Sequence, residues 1–448
     1  MGPKVNHSRL DRRQFLKLSS TAASGLPLLH GAMERGTGSK VKNVIILVFD
    51  TWSAKNISLY GYPRLTTPNL LRLAERATTY HNHYAGGHET YTGTTALLTG
   101  CHNWTTWNWG LDSDIHPPYD QINLFGLFGD YHRIVYTHNP YAEKALDFFS
   151  HHIDHYQPRQ SLYLNNNYWL SNYFGEDMDI AALSWVRVAD TIDDRYTNSL
   201  FISRLMEGYQ GMVIAGYRDQ FPLGPPVVQS TNYFLLEDAI NWIDAQLPGL
   251  PRPFLGYFHL LPPHDKYRPR SQDYNRFQND GQEFDLKNKH LLANRKNGDN
   301  LTAERKVYDE YILYVDAELG RLFNRLDEQG ILDETWLVLT SDHGESFERG
   351  ILGHKQDTFH QPIVRIPLLI FEPGQQTRRD VYQTTTAIDL LPTLLKITGH
   401  SVPEEIEGKL LPPFDDGKTP NERTFYAGSW AESASVDWDL RTAVMMIN

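Results

Sequence analysis

Two acidic side chains stand where two apolar runs of the sequence end. Asp50 follows the run from Asn43 to Phe49, and Asp342 follows Leu-Val-Leu-Thr-Ser with His343 directly after it. In an open α/β sheet, ligands collect just beyond the carboxyl ends of the strands. Two carboxylates and an imidazole at that edge can hold a divalent cation, although an aspartate that caps a helix gives the same pattern. The two positions are therefore candidates for a metal half-site.

The elements that would position these residues alternate between strand and helix. Apolar runs and helical periodicity predict strands at 43–49, 254–261, 336–340 and 364–371, and helices at 68–77, 307–329 and 387–398. Thr67 can cap the first helix, while Gly330 and Gly399 end the other two. Continuous apolar strands that alternate with helices are typical of a buried parallel sheet. We expect an α/β fold with a large, mostly parallel sheet and helices on both faces.

The composition is that of a globular, core-forming protein. Of 448 residues, 40 % are hydrophobic and 21 % are charged, which excludes wholesale disorder. The net charge of -12 argues against non-specific binding to nucleic acid. Cys101 is the only cysteine, so an intrachain disulfide framework is impossible. The length fits one large domain with an appendage, or two domains.

The first 40 residues have a different character. Arg12 and Arg13 are followed by Gln-Phe-Leu-Lys and then by a weakly apolar stretch, residues 18–29, which is too short to span a bilayer. This order resembles a bacterial twin-arginine export signal, and the alternative is a disordered basic tail. The resemblance implies export through the twin-arginine machinery to the periplasm or outside the cell. No other segment is long and apolar enough for a transmembrane span.

Further segments have the order and composition of one enzyme superfamily. Besides Asn43–Asp50 they are Leu59–Pro63, Thr66–Leu70, Ala96–Gly100, His259–His264, Tyr314–Gly320, Ser341–Glu345, Arg365–Leu368 and Ile388–Thr393. Together they resemble the sulfatase and alkaline phosphatase superfamily over roughly residues 43–412, and Ser341-Asp-His-Gly-Glu345 is the most specific of them. The resemblance implies an alkaline-phosphatase-like fold, a divalent metal and cleavage of anionic esters.

The same reasoning predicts the division of the chain. We expect a twin-arginine signal region at 1–40, a sulfatase-like catalytic domain at 41–400 and a small C-terminal subdomain at 401–448. The last residues, 441–448, have the pattern of a strand that should continue. The C-terminal subdomain is therefore expected to be incomplete.

The nucleophile motif departs from the sulfatase pattern. Counting back from Gly100 places the nucleophile at Thr90, where a sulfatase has Cys or Ser, and Thr92 and Thr94 replace the usual Pro and Arg. Formylglycine is made from Cys or Ser, so we expect none here. Cys101 lies just past the motif and is expected to be a buried apolar thiol. The chain looks like the threonine-nucleophile branch, which includes nucleotide phosphodiesterases and phospholipid head-group transferases.

The resemblance implies a single metal site. Its ligands would be Asp50, Asp342, His343 and Thr90, and a cation on the threonine oxygen lowers the pKa of the hydroxyl. Oxygen-rich ligation with one imidazole suits Ca²⁺, Mg²⁺ or Mn²⁺ better than Zn²⁺. Thr51 stands where the family has a second aspartate. One ligand fewer is therefore expected.

Other polar residues are assigned around this centre. His264, and Lys355 thirteen residues after Asp342, would neutralise the transferred group and protonate the leaving oxygen. His354 and His360 are candidates to line the pocket. A second metal would need more ligands; Asp147 and His151 have a suggestive spacing but are expected to be structural.

The predicted function is an exported, metal-dependent hydrolase of small anionic esters. In sulfatases, the second hydroxyl of a hydrated aldehyde expels the sulfate, and Thr90 has no such hydroxyl. Release must then occur by attack of water on the transferred group, which is easier at phosphorus than at sulfur. Phosphate mono- and diesters are therefore favoured over sulfate esters. A phospho-group transferase, or a protein that keeps the fold without catalysis, are the alternatives.

Overall fold

The computed structural model describes residues 42–110, 113–164, 208–209, 211–228, 232–284, 287–290, 293, 299–354, 358–417, 423–430 and 442–447. The predicted export signal and Lys355 lie outside the described residues.

The described residues contain strands and helices that alternate along much of the chain. The strands are β1 Asn43–Phe49, β2 Thr78–Tyr84, β3 His132–Thr137, β4 His155–Gln157, β5 Val227–Val228, β6 Asn232–Tyr233, β7 Phe254–Leu260, β8 Thr335–Thr340, β9 Ser346–Glu348, β10 Ile351–Gly353, β11 Leu368–Phe371, β12 Arg379–Thr386, β13 Phe425–Trp430 and β14 Thr442–Ile447. The α-helices are α1 Pro68–Ala74, α2 Thr90–Thr99, α3 Asn103–Thr106, α4 Leu124–Leu127, α5 Pro140–Asp147, α6 Leu236–Gln246, α7 Asp299–Glu328, α8 Gln361–Val364 and α9 Leu390–Thr398. Short 3₁₀ helices lie at Ala54–Asn56, Ser58–Tyr60, Ser150–His152, Arg159–Leu162, Leu247–Gly249, Leu332–Glu334 and Ala387–Asp389.

The central sheet has eight strands in the order β12-β2-β11-β8-β1-β7-β3-β4. All neighbouring pairs are parallel except those of β11, which runs antiparallel to β8 and β2. In the register of the middle strands, Val48 lies opposite His259 on one side and Thr340 on the other. The prediction of a large, mostly parallel sheet is confirmed, and the ends of β1, β7 and β8 meet at one edge.

Alternate residues of β1 belong to two hydrophobic cores. Ile45, Leu47 and Phe49 pack with apolar side chains of α1, α6 and α7. Val44, Ile46 and Val48 pack with those of α2 and α9. Since successive strand residues point to opposite faces, helices cover both faces of the sheet, as predicted. Among the described helices, none is both long and apolar enough to cross a membrane.

Two predicted elements differ in the structure. The strand predicted at 364–371 is shorter in the structure, because Val364 is the last residue of helix α8 and β11 begins only at Leu368. Pro362 in the first turn of α8 has the φ that a helix start requires, and Pro367 separates the helix from the strand. Helix α1 begins after Thr67, but the Thr67 side chain makes no capping hydrogen bond. The backbone amides of Asn69 and Leu70, in the first turn of α1, donate instead to the carboxylate of Asp316 in α7.

Residues 401–417 lie against the segment that includes α9. The amide of Lys409 donates to Asp389 Oδ1 at 2.8 Å, and that of Leu411 donates to Thr393 Oγ1 at 2.8 Å. Beyond them, β13 and β14 pair antiparallel as a separate two-stranded sheet.

Candidate active site

Two buried carboxylates lie side by side at the carboxyl edge of the sheet. Asp50 directly follows β1 and Asp342 lies two residues past β8, and both are almost completely buried. The backbone amides of His343 and Thr51 donate to Asp342 Oδ1 at 2.9 and 3.3 Å. Asp342 Oδ2 and Asp50 Oδ1 accept no hydrogen bond from the described residues. Two adjacent buried carboxylates are costly unless positive charge lies near them. Since the described residues between Asp342 and β9 form no helix, this pair fits a bound cation better than two helix caps.

The His343 imidazole faces the two carboxylates. Its Nδ1 donates to the carbonyl of Gly344 at 3.0 Å, which leaves Nε2 as the atom with a free lone pair. Nε2 lies 3.5 Å from Asp50 Oδ1 and 3.6 Å from Asp342 Oδ2. Burial lowers the pKa of His343 below its usual value and thereby favours the neutral ring. Asp50, Asp342 and His343 each place one donor atom within 4.8 Å of the other two, which suits one metal ion.

Thr90 is the first residue of helix α2 and reaches into the same cluster. Its Oγ1 lies 3.3 Å from His343 Nε2. One turn on, Gly93 packs directly against the backbone of Asp342, where an added Cβ would lie 3.0 Å from the carbonyl carbon and closer still to the oxygen. This close approach holds the start of α2 against the end of β8. The structure therefore brings Asp50, Thr90, Asp342 and His343 together.

The sequence analysis gave no role to two further residues of the cluster, although His259 begins one of the segments that carry the family resemblance. Asn139, two residues past β3, donates from its side-chain amide to Asp50 Oδ2 and, at 3.3 Å, to Thr90 Oγ1. His259, within β7, places Nε2 3.4 Å from Asp342 Oδ2 and 3.8 Å from Asp50 Oδ2. The strand order explains both positions, because β7 is the neighbour of β1 and β3 is the next strand after β7. A polar residue at or just past a strand end is the signal that could have found them.

Two opposing effects act on the pKa of His259. Its complete burial lowers the pKa of the ring, but the nearby carboxylates of Asp342 and Asp50 outweigh burial and raise the pKa to about 9. The Tyr257 hydroxyl lies 3.3 Å from Nδ1 and fixes the ring plane. His259 is thus a second imidazole held against the carboxylate pair.

His264 and His354 lie on the cavity side of this cluster. Nδ1 of His264 donates to the carbonyl oxygen of Asp265 at 2.7 Å. Burial lowers the pKa of His264, but the charge of Asp50 and the Asp265 carboxylate, 2.9 Å from Nδ1, raise it overall to about 10. The His354 ring lies with its centroid 5.2 Å from that of His264, and its Nδ1 is 3.1 Å from Glu345 Oε1. Burial lowers the pKa of His354 to about 4.

The remaining candidates lie elsewhere. His360 precedes α8 and its ring contacts that of His290, with the centroids 5.0 Å apart. Asp147 ends α5, and His151 lies near the Gln121 amide on the exposed side of that region. Cys101 is buried, and burial raises the pKa of its thiol to about 12. The Thr51 side chain is buried and its hydroxyl has no partner among the described residues.

A cavity of about 480 Å³ opens over Thr90. The uncharged polar and imidazole side chains of the lining are those of Thr90, Asn139, His264 and His354. Aliphatic surface comes from Pro140, Val227, Val228 and Leu261. Glu89, Tyr91, Tyr141, Asp265 and Lys266 complete the lining. The cavity has the size of a site for a small organic ligand.

A family model described as Sulfatase matches residues 42–400. The chain belongs to the sulfatase family. The recognition of the sulfatase and alkaline phosphatase superfamily from the motifs is therefore confirmed, as is the alkaline-phosphatase-like fold.

Sulfatase-family relatives are recognisable over parts of the chain. The multifunctional alkaline phosphatase superfamily protein PehA of Trinickia caryophylli is 35 % identical over 127 residues, which cover 27 % of this chain and 24 % of that protein. The chain spans about a quarter of the length of the curated relatives that it matches first.

Solved structures of the same fold match most of the chain. The phosphonate monoester hydrolase of Agrobacterium radiobacter superposes with a TM-score of 0.62 at 18 % identity, covering 88 % of this chain and 81 % of that one. BT4656, solved in complex with its substrate D-glucosamine-2-N,6-O-disulfate, superposes with a TM-score of 0.61 at 16 % identity, covering 91 % and 87 %. These likenesses concern the fold.

Proposed function

We propose that this sulfatase-family chain is a metal-dependent hydrolase of small anionic esters that uses Thr90 as its nucleophile. The observation that carries the proposal is the position of Thr90 Oγ1, 3.3 Å from His343 Nε2. It lies beside a buried carboxylate pair that has two oxygens without partners in the described chain. Thr90 is the first residue of α2 and also lines the cavity, where a substrate could reach its hydroxyl.

One divalent cation would be held by Asp50, Asp342, His343 and Thr90. When bound, such an ion lowers the pKa of a coordinated hydroxyl and offsets negative charge on the substrate. A single imidazole among oxygens favours Ca²⁺, Mg²⁺ or Mn²⁺.

Hydrolysis then takes two displacement steps at one phosphorus. In the first, the Thr90 hydroxyl proton passes to water, Oγ1 bonds to phosphorus, and the bond to the leaving oxygen breaks. His264 in the cavity lining donates a proton to that oxygen, which leaves as an alcohol. In the second, water gives a proton to His264 and bonds to phosphorus, the Oγ1 bond breaks, and Oγ1 takes a proton from solvent. Lys355, as expected from its spacing, would contact the anionic oxygens.

The cavity lining favours a particular substrate class. Thr90, Asn139 and His264 in the lining suit one anionic centre, whereas the side chains of Val227, Val228 and Leu261 offer no hydrogen bond to sugar hydroxyls. An ester with an apolar organic substituent can bury that group against these aliphatic side chains, at about 25 cal/mol per Å² of apolar surface. We therefore place phosphodiesters and aryl phosphates before sulfated sugars.

The compartment is proposed from the N-terminus alone. Arg12, Arg13 and the following Phe-Leu-Lys support twin-arginine export to the periplasm or beyond. Export of a folded protein by this route suits an enzyme that acquires its metal ion first.

The function is tested with matched aryl phosphate, phosphodiester and sulfate esters. We expect the highest kcat/KM for a phosphorus ester, and mass spectrometry of enzyme quenched during turnover should find the adduct on Thr90. Thr90→Ala should lose on the order of 10²-fold or more in rate because covalent catalysis is deleted. Asp342→Ala should lose metal as measured by elemental analysis. Thr105→Ala, outside the cavity lining, serves as the control.

A preference for sulfate esters, or an adduct on another residue, would contradict the assignment of Thr90 and of phosphoryl chemistry. Full metal content in Asp342→Ala would show that the carboxylate holds no metal and only accepts the backbone amides of Thr51 and His343.

A further inference from the structure

We propose that Asn139 is a catalytic residue whose side-chain amide donates to the attacking oxygen and keeps Asp50 turned towards the cation. The proposal rests on Thr90 being the nucleophile. It assigns a role to a residue that no sequence motif indicated, and it depends on three features of the structure.

The backbone of Asn139 is fixed at the junction of β3 and α5. Its amide donates to Thr137 Oγ1 at 3.0 Å, and its carbonyl accepts from the amide of Glu143 at 2.9 Å. The residue is 1 % exposed. Its side chain therefore starts from a position with little freedom.

The orientation of the amide group is determined by the helix that follows. Asn139 is the N-cap of α5, and its Oδ1 accepts hydrogen bonds from the amides of Tyr141 at 2.7 Å and Ala142 at 3.4 Å. The oxygen and nitrogen of a side-chain amide are difficult to tell apart in most surroundings. Here two backbone donors require an acceptor on one side. The NH₂ group must then face the catalytic cluster.

Each hydrogen of that NH₂ group has an acceptor. One is Asp50 Oδ2, and the other is Thr90 Oγ1 at 3.3 Å. Asp50 Oδ1, the second oxygen of the same carboxylate, accepts no hydrogen bond from the described residues. Asn139 thus donates to Oδ2 of Asp50 and leaves Oδ1 available to a cation.

The contact with Oγ1 acts on the chemistry itself. In the first step Oγ1 loses its proton before it attacks, and in the second the electron pair of the breaking bond between Oγ1 and phosphorus returns to Oγ1. Negative charge on Oγ1 is stabilised by a nearby N–H donor in both cases. Because the cap holds the amide in place beforehand, the donor needs no reorganisation during the reaction.

Two substitutions separate this role from the helix cap. Asn139→Ser keeps a capping hydroxyl that is too short to reach Oγ1 and Asp50, and Asn139→Asp keeps size and cap but replaces the donor by a second acceptor. We expect kcat to fall on the order of 10²-fold in Asn139→Ser, as for loss of one oxyanion donor, with KM changed less than about threefold. Asn139→Asp should be at least as impaired, because its carboxylate faces Asp50.

A matched control lies in the same fold. Asn123 caps α4 in the same way, with Oδ1 accepting from the amides of Phe125 and Gly126 at 3.0 Å each, but it is not part of the cavity lining. Because serine is also a favoured N-cap residue, both Asn139→Ser and Asn123→Ser should change the melting temperature only slightly. Asn123→Ser should leave kcat unchanged. Metal content is measured in all variants alongside the kinetics.

The outcomes are distinct. Kinetics are measured at saturating metal, because loss of the Asn139 contact to Asp50 is itself expected to weaken metal binding. A folded Asn139→Ser enzyme with kcat within twofold of wild type under that condition overturns the proposal, as does a loss of kcat that only follows a loss of melting temperature. If the wild-type adduct is found on a residue other than Thr90, the proposed function fails first. If it is on Thr90 and Asn139→Ser is normal, this inference alone fails.

Discussion

Replacing Gly93 by alanine tests whether the close contact between α2 and Asp342 positions Thr90, the proposed nucleophile. An alanine Cβ at this position would lie 3.0 Å from the carbonyl carbon of Asp342 and nearer still to its oxygen, and both are backbone atoms. No side-chain rotation can relieve such an overlap. Helix α2 has to move away from the end of β8, and Thr90 lies at its first residue.

The size of the effect follows from that displacement. Restoring ordinary van der Waals separation requires a shift of roughly 1 Å, and a misplacement of about 1 Å can cost on the order of 10²-fold in rate. Overpacking of a buried site also destabilises by about 1–3 kcal/mol. We therefore expect Gly93→Ala to fold with reduced stability and to lose about two orders of magnitude in kcat/KM.

The assay combines kcat/KM for an aryl phosphate with the free energy of unfolding in urea. Gly249→Ala is the matched control, because a Cβ there meets no atom within 4 Å. If Gly93→Ala retained both wild-type kcat/KM and wild-type stability, the packing of α2 against Asp342 could not be what places Thr90.

Two other regions give predictions. Burial lowers the pKa of His83 to about 3, so stability that is present above the unfolded pKa of about 6.5 is lost as the pH falls towards 3, by up to about 1.4 kcal/mol per pH unit. His83→Gln should flatten this slope in urea unfolding between pH 7 and pH 5, and an unchanged slope would contradict the expected neutral ring. Changing both Arg12 and Arg13 to lysine should block appearance of the mature protein outside the cytoplasm. Fractionation that finds normal export would remove the twin-arginine interpretation.

The sequence was most informative for features that depend on a single strand and the residue that follows it. The apolar runs before Asp50 and Asp342 predicted buried strands, and parallel strands that end in acidic residues predicted a shared edge, which the register of β1 and β8 confirms. The nucleophile position came from the family resemblance, and α2 starts at that residue.

What remained hidden depends on contacts between distant segments. Asn139 and His259 reach Asp50 only because β3 and β7 follow β1 in the sheet order, and no local pattern reports the order of strands. The cap of α1 has the same origin, since Asp316, which takes the place of the Thr67 hydroxyl, lies 246 residues along the chain from the Leu70 amide that donates to it. Helix propensity rules consider only neighbours in sequence, so a cap provided by another helix lies beyond them.

The dispersed origin of the catalytic cluster has a consequence for how the protein matures. Asp50, Thr90, Asn139, His259 and Asp342 are contributed by segments that meet only when β8, β1, β7 and β3 are paired. Parallel pairing between distant segments is slow, because the loop entropy must be spent before the contacts form. During refolding, helical circular dichroism should therefore recover before enzymatic activity does. Recovery of activity would then report that these four strands have paired. A proteolytic fragment that lacks one of them would lack part of the site and should be inactive.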